Sequence, residues 1–148
     1  MKALTIMQPW ASLIAVGAKL YETRSYPISY RGQLAIHASR NIPEWAREEL
    51  NQPNSALAKV LRLKGLRFHY LPRGCVIAVV TLLGCARTEQ YQHLPYSDMI
   101  SSNERAFGDW TPGRWAWQLA DIKRLSEPIP ARGALRLWDW EPPKELDQ

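Results

Sequence analysis

The sequence predicts an α+β domain that is mainly β: a small, closed or partly closed barrel with helices over its ends. Three observations predict this class. Five or six short stretches have strand patterns, a helical pattern directly follows the first of them, and a helical insertion lies mid-chain. A length of 148 residues fits one domain. We expect it to span residues 1–140, with a loosely ordered tail at 141–148.

The first strand, the first helix and an extended segment are predicted in close succession. Residues 3–7 form a short apolar run, and Pro9 suits the first turn of a helix, where its missing N–H costs nothing. Apolar residues then recur at helical spacing up to Gly17, a typical C-terminal stop. Residues 21–26 are predicted to be extended, which places Glu22 and Arg24 on one face.

The middle of the chain combines strands with the helical insertion. Residues 33–39 alternate as a strand, and 41–51 are predicted to form a helix with Asn41 or Ile42 as its cap and Pro43 in its first turn. A second helix is predicted at 54–65, capped at Asn54–Ser55. Residues 74–85 are nearly all apolar, which is typical of a central strand covered on both faces.

The second half contains a long polar stretch between strands. Residues 88–111 are irregular, with a short helix expected near 89–93 or 100–107, and a loop of this length is usually functional or mobile. Residues 114–119 alternate as a strand, and 134–140 form the last strand. We expect the long strands of this half to pair antiparallel.

Composition and charge favour an anionic, flat partner. The net charge is +5, and seven Trp and six Tyr stand against two Phe, a balance that suits stacking as well as a core. Between residues 51 and 87 no Asp or Glu occurs, and the positive charges there lie near Phe68, His69 and Tyr70. This pattern is typical of a surface for single-stranded nucleic acid, or of a solvated helix face. The predicted basic patch comprises Lys59, Arg62, Lys64, Arg67 and Arg73.

Several classes of protein are excluded. Cys75 and Cys85 lie at opposite ends of one predicted strand, too far apart for a disulfide, so we expect reduced thiols and a cytoplasmic location. No metal-ligand spacing, signal peptide or membrane-spanning run occurs, so no metal, cofactor or membrane partner is predicted. We expect a monomer.

The segment Gly17–Arg24 is the candidate site. It brings Lys19, Glu22 and Arg24 together beside Tyr21, a grouping typical of a site for a polar ligand or of a solvated turn with a surface ion pair. His37, on the strand at 33–39, is either a site residue or a half-buried histidine with a backbone partner.

The chain resembles the ASCH domain family, whose fold belongs to the PUA-like superfamily. Residues 17–24 match its signature G-x-K-x-x-E-x-R. The similarity extends over residues 2–140 through further segments in order: Gln8-Pro9-Trp10-Ala11, Arg31-Gly32, Ile36-His37-Ala38-Ser39, Phe107-Gly108-Asp109-Trp110, Gly113-Arg114-Trp115-Ala116-Trp117 and Gly133-x-Leu135-x-Leu137-Trp138.

The resemblance implies a cleft between barrel and helices, lined by the signature, and recognition of RNA or a nucleotide. In this hypothesis Lys19 and Arg24 hold a phosphate or base edge, Trp10 or Tyr21 stacks a base, and Glu22 accepts from an exocyclic amine or 2′-hydroxyl. The partner is single-stranded RNA or a (modified) nucleobase. The predicted ligand-binding residues are Gln8, Trp10, Lys19, Tyr21, Glu22, Arg24, His37, Ser39 and Arg114.

An alternative implied by the family is a small hydrolase, either an N4-acetylcytidine amidohydrolase or a ribonuclease. Lys19 would be base or nucleophile, Glu22 would hold it, and Glu104 would supply a second acid. Glu22 stands where the amidohydrolase branch has a threonine, and a carboxylate beside Lys19 keeps its amine charged, which favours binding. A protein-interaction domain using the Trp-rich face is a third possibility.

Overall fold

The computed structural model describes residues 1–146 and shows a six-stranded mixed sheet curled into a half-barrel and packed with helices. The strands are β1 (Lys2–Ile6), β2 (Tyr21–Arg24), β3 (Gly32–Ala38), β4 (Cys75–Arg87), β5 (Trp115–Pro130) and β6 (Leu137–Asp139). The α-helices of the described residues are α1 (Trp10–Ala15), α2 (Glu44–Leu50), α3 (Ala56–Leu63) and α4 (Ser102–Ala106). Short 3₁₀ helices occupy Phe68–Tyr70, Thr88–Tyr91, Tyr96–Met99 and Lys144–Leu146.

The sheet has the strand order β2-β5-β4-β3-β1-β6. β1 pairs in parallel with β3, and every other neighbouring pair is antiparallel. The longest pairing joins β4 to β5, and its register shifts at three places, which allows the ribbon to bend. The structure therefore confirms the mainly-β, partly closed barrel and the antiparallel second half.

Helix α1 lies in the main core. All six of its residues are buried, and Leu13 and Ile14 belong to the same apolar cluster as Ile36 of β3 and Trp117 of β5. Gly17 follows the helix with φ of +78°, a left-handed conformation that a residue without a Cβ adopts at little cost. The chain can therefore turn sharply from the buried helix into β2.

Helix α2 begins at Glu44 with Pro43 as its cap, later than the predicted start with Asn41 or Ile42 as cap. Three strands also differ from the prediction. β5 continues to Pro130, well beyond the expected 114–119, because its later half is an exposed ribbon whose polar residues carry no apolar alternation. β6 covers only Leu137–Asp139 of the expected 134–140, and the left-handed φ of 58° at Arg136 explains why the extended strand begins later. The end of β4 is only partly covered, so burial on both faces holds for its first half alone.

The remaining predictions concern the termini and the cysteines. Residues 147–148 of the predicted tail lie outside the described residues, while Lys144–Leu146 form a 3₁₀ helix. Cys75 and Cys85 are both free. Among the helices of residues 1–146, none combines the length and apolar character needed to cross a bilayer.

Gln8 fastens the start of α1. Its side chain is fully buried, and its Oε1 accepts the Ser12 N–H at 3.0 Å, which satisfies a backbone donor of the first turn. Its Nε2 donates to Ser12 Oγ at 2.8 Å and to the Pro72 carbonyl at 2.7 Å. Gln8 therefore joins α1 to the chain segment that precedes β4.

Replacing Gln8 by methionine should destabilise the fold. The substitution preserves size but leaves the Ser12 N–H and the Pro72 carbonyl without partners, so we expect a loss of about 1–3 kcal/mol. Urea unfolding followed by tryptophan fluorescence measures it. The exposed Gln90, changed to methionine, is the control and should shift stability by less than about 0.5 kcal/mol. Equal effects of the two substitutions would contradict this role of Gln8.

Candidate nucleotide-binding cleft

A cleft of about 480 Å³ opens where the half-barrel is incomplete. β6 pairs with β1 at Lys2, Ala3 and Leu4, and the cleft begins where this pairing ends, at Thr5. Its opposite side is formed by Glu22, Thr23 and Arg24 of β2. Helices α1 and α2 and residues 106–109, at the C-terminal end of α4, complete the walls. The cleft thus lies between barrel and helices, where the resemblance implies it.

Two signature residues lie in the cleft, and one of them bridges the gap in the barrel. The Arg24 guanidinium donates from Nη2 to the Thr5 carbonyl at 3.3 Å, which joins β2 to β1. Its Nε lies 3.9 Å from Glu22 Oε1, and the Glu22 side chain retains 12% exposure. A carboxylate acceptor and a positioned guanidinium are therefore presented side by side.

Arg114 lines the rim of the cleft, close to Asp109. Its Nε donates to the Asp109 carbonyl at 3.1 Å, and its Nη2 donates to the Thr23 carbonyl at 3.3 Å. The Thr111 hydroxyl and N–H, together with the Arg114 charge, hold the pKa of the Asp109 carboxyl below its ordinary value. The rim therefore carries a second guanidinium fixed beside an ionised acid.

Two tryptophans form one wall. The rings of Trp10 and Trp45 lie 5.2 Å apart between centroids, at an angle of 41°. Trp10 is almost buried, whereas Trp45, on α2, is 54% exposed. Trp45 lines the cleft but is not among the predicted site residues, and neither are Glu49 and Asp109. The position of Trp45 on the exposed face of a predicted helix was the available signal, because a solvent-facing tryptophan needs a reason other than packing.

Lys19 lies in the interior, apart from the residues that line the cleft. It is 1% exposed, its Nζ donates to the Tyr21 carbonyl, and the same nitrogen lies 3.9 Å from Glu104 Oε1. Tyr21 is also buried, with edge-on contacts to Tyr91 and Trp110 at centroid distances of 5.8 and 5.6 Å. These residues support the cleft from behind β2.

Glu104 is also absent from the lining of the cleft, and it fastens the long loop to β2. Its two carboxyl oxygens accept the N–H groups of Leu20 and Tyr21 at 2.9 and 3.1 Å. Burial raises the pKa of this carboxyl above its ordinary value, although the two N–H donors and Lys19 act in the opposite direction. The residues that follow α4 are thereby brought against β2, where they become a wall of the cleft.

His37 and Ser39 line a second hollow on the other side of Thr5. His37 is 2% exposed; its Nε2 lies 2.7 Å from the Ala131 carbonyl and its Nδ1 lies 3.2 Å from Thr5 Oγ1. His37 therefore has a backbone partner, as one of the two interpretations expected. It is almost completely buried, whereas that interpretation expected a half-buried histidine.

The predicted site residues thus fall into separate groups. Trp10, Glu22, Arg24 and Arg114 meet in the cleft, while Gln8, Lys19, Tyr21 and Glu104 are internal supports. The basic patch lies on exposed positions of α3 and the segment after it: Lys59, Arg62, Lys64, Arg67 and Arg73. Within residues 1–146, no group of three or more His, Cys, Asp and Glu side chains is arranged to hold a metal ion.

The raised pKa of Glu104 predicts a specific pH dependence. The folded protein binds this proton more tightly than the unfolded chain, so the Glu104 contribution to the unfolding free energy falls as pH rises from 4.5, its ordinary value, through the raised pKa. Glutamine does not titrate. The stability difference between wild type and Glu104→Gln should therefore decrease as pH rises above 4.5. Urea unfolding over a pH series from about 4 to about 8 measures this difference.

The matched control is Glu127→Gln, an exposed substitution on β5. Its effect on stability should stay small, because exposed substitutions usually change the unfolding free energy by less than about 0.5 kcal/mol. A Glu104→Gln difference that grows as pH rises would mean that the carboxyl has a lowered pKa in the folded protein, which would contradict the account.

Comparisons with known proteins agree with this architecture. The ASCH domain family matches residues 4–129. Activating signal cointegrator 1 of Mus musculus and of Homo sapiens are 32% and 31% identical to the chain over 105 residues. These alignments cover 70% of this chain but 17% of each relative, so the chain spans about a sixth of the length of the curated relatives it matches.

A solved structure, ASCH from Zymomonas mobilis, has the same fold. It superposes with a TM-score of 0.50 at 16% identity, covering 87% of this chain and 72% of that one. The family match extends from β1 to the end of β5 and includes the signature segment and both edges of the cleft. The chain therefore belongs to the ASCH domain family.

Proposed function

We propose that this ASCH domain binds single-stranded RNA and takes one base, ordinary or modified, into the cleft. One observation carries the proposal: the Trp10–Trp45 wall shares a cleft with Glu22, Arg24 and Arg114. Its volume of about 480 Å³ lies within the usual range for small-molecule sites. A flat apolar face beside a few fixed polar groups is what recognition of a nucleobase requires.

The base stacks on Trp45 in this proposal. The ring is half exposed and its neighbour Trp10 fixes its orientation, so little conformational freedom is lost when a base covers it. Base stacking on an aromatic side chain contributes about 1–3 kcal/mol and tolerates any base. Stacking therefore supplies affinity, and the polar groups supply selectivity.

Glu22 and Arg24 read the edge of the base. The Glu22 carboxylate accepts from an exocyclic amine or a ribose 2′-hydroxyl. Arg24 has five N–H donors, and the structure gives one of them to the Thr5 carbonyl, so others are free to donate to a base oxygen or ring nitrogen. Because Arg24 is held by β1 and by Glu22, its guanidinium is already oriented before the ligand arrives.

The surface charge brings the strand to the cleft. The chain carries a formal net charge of +5, and the basic patch on α3 and the following segment is exposed. Contacts of this kind attract phosphates without reading sequence and weaken as salt rises. The cytoplasmic location and the monomeric state stay predictions.

The hydrolase alternative receives less support from the geometry. It requires an amine that reaches a substrate, whereas the Lys19 side chain is 1% exposed and its Nζ is engaged by Tyr21 and Glu104. Glu104 likewise has both oxygens occupied by backbone N–H groups. These two residues stabilise the wall of a binding cleft.

Replacing Trp45 by alanine should weaken binding of single-stranded RNA about tenfold, because the stacking surface is lost. Fluorescence anisotropy of labelled RNA oligomers of mixed sequence measures the dissociation constant. Stability should change little, since the ring is half exposed. Tyr96→Ala is the matched control, because Tyr96 is 45% exposed and lies outside the cleft. If both variants bind as wild type does, or if wild type binds no RNA, the proposal is wrong.

A further inference from the structure

The second hollow, of about 560 Å³, adjoins the cleft. It lies between the end of β3, residues 39–41, Gly74 and the segment 131–135. Thr5 lines both the cleft and the second hollow, so the two spaces meet at this residue. Neighbouring strands lie about 4.8 Å apart, and the hollow is built on β3, directly beside β1. A ligand that passes over Thr5 would therefore contact the lining of both spaces.

The two spaces differ in charge. The described residues lining the cleft include three carboxylates, Glu22, Glu49 and Asp109, beside the guanidinium groups of Arg24 and Arg114. Among those lining the second hollow, the residues with formal charge are Arg40 and Arg132, and no carboxylate joins them. Within residues 1–146, neither guanidinium forms an ion pair, and neither donates a side-chain hydrogen bond. The hollow thus offers positive charge that no protein group neutralises.

Hydrogen bonds join the residues that form the floor of the second hollow. Trp138 Nε1 donates to Thr5 Oγ1 at 3.1 Å, and that hydroxyl can donate to His37 Nδ1. His37 Nε2 then carries a hydrogen and donates to the Ala131 carbonyl at 2.7 Å. A Cβ at Gly133 would lie 2.7 Å from both Thr5 Oγ1 and His37 Cε1, so glycine is needed for this close approach. The segment that carries Arg132 is thereby held against the sheet.

The Arg40 side chain lies against Gly74. A Cβ at Gly74 would lie 2.6 Å from Arg40 Nε and 2.9 Å from its Cγ, so the arginine side chain lies directly over the Gly74 backbone. Ser39 Oγ accepts the Asn41 N–H at 3.2 Å, which leaves its hydroxyl hydrogen to donate outward. Two guanidinium groups and one hydroxyl donor are therefore arranged around an acid-free space.

We propose that the second hollow binds the phosphodiester group adjacent to the base held in the cleft. This inference rests on the proposed function, and it names the part of the strand that each space takes. Guanidinium groups bind phosphate oxygens with paired N–H donors, and Ser39 supplies a further donor. The cleft, with its three carboxylates, takes the base, while the acid-free hollow takes the negative charge. The strand crosses Thr5 between them.

The test compares ligands with and without internucleotide phosphates. Wild type and the Arg40→Gln/Arg132→Gln double variant are titrated with the four ribonucleosides and with RNA trinucleotides, using quenching of tryptophan fluorescence. The double variant should bind trinucleotides at least about tenfold more weakly, because two charge-assisted contacts are lost. Its nucleoside affinities should be unchanged. Its salt slope for trinucleotides should be shallower by about 0.7 for each phosphate contact removed.

The matched control is Arg47→Gln/Lys123→Gln, which removes the same net charge from exposed positions outside both spaces. It should retain most of the trinucleotide affinity. If nucleosides bind but the Arg40/Arg132 variant loses no more trinucleotide affinity than this control, the inference is overturned and the proposed function stands. If wild type binds neither nucleosides nor trinucleotides, both are overturned.

Discussion

The attachment of the Glu104 carboxyl group to the backbone of residues 20–21 is the contact on which the site depends. Residues 88–114 connect two long strands, and α4 is the element that this contact fixes against β2. Asp109 N–H then donates to Thr23 Oγ1 at 3.1 Å, and Gly108 lies so close that a Cβ there would be 2.9 Å from the same oxygen. The Glu104 attachment and the Asp109–Thr23 hydrogen bond together hold the wall formed by residues 106–109 against β2.

The signature segment therefore has two tasks. Its first part, Gly17 and Lys19, builds the support: the glycine allows the turn out of α1, and the buried lysine approaches Glu104 behind β2. Its second part, Glu22 and Arg24, reaches the cleft and joins β2 to β1. The sequence suggests that Lys19, Glu22 and Arg24 form one charged cluster. In the structure Lys19 lies behind β2, whereas Glu22 and Arg24 line the cleft.

Much of the fold could be predicted from local patterns. Ser55 does accept the Ala58 N–H at 3.0 Å as the cap of α3, and the apolar run at 75–82 forms the buried part of β4. The later half of β5 could not be found in this way, because an exposed two-stranded ribbon depends on pairing with β4 rather than on its own apolar periodicity. The length of such a strand is set by its pairing with a neighbouring strand.

The lining of the cleft could also be predicted only in part, because local patterns do not show which distant elements pack together. Alternation along β2 correctly placed Glu22 with Arg24, and the same period extended back by two residues from Tyr21 places Lys19 on the buried face. Local patterns do not predict which helix packs beside the gap in the barrel. Trp45 is brought to the cleft by α2, a helix distant in sequence from the signature.

The central claim is that a base of the RNA binds in the cleft, and that the RNA does not bind at the basic patch alone. The most direct measurement is a crystal structure of the protein with a bound RNA trinucleotide. The account predicts one base against Trp45, with its edge facing Glu22 and Arg24. A base-free cleft, with the RNA bound only along α3, would contradict it.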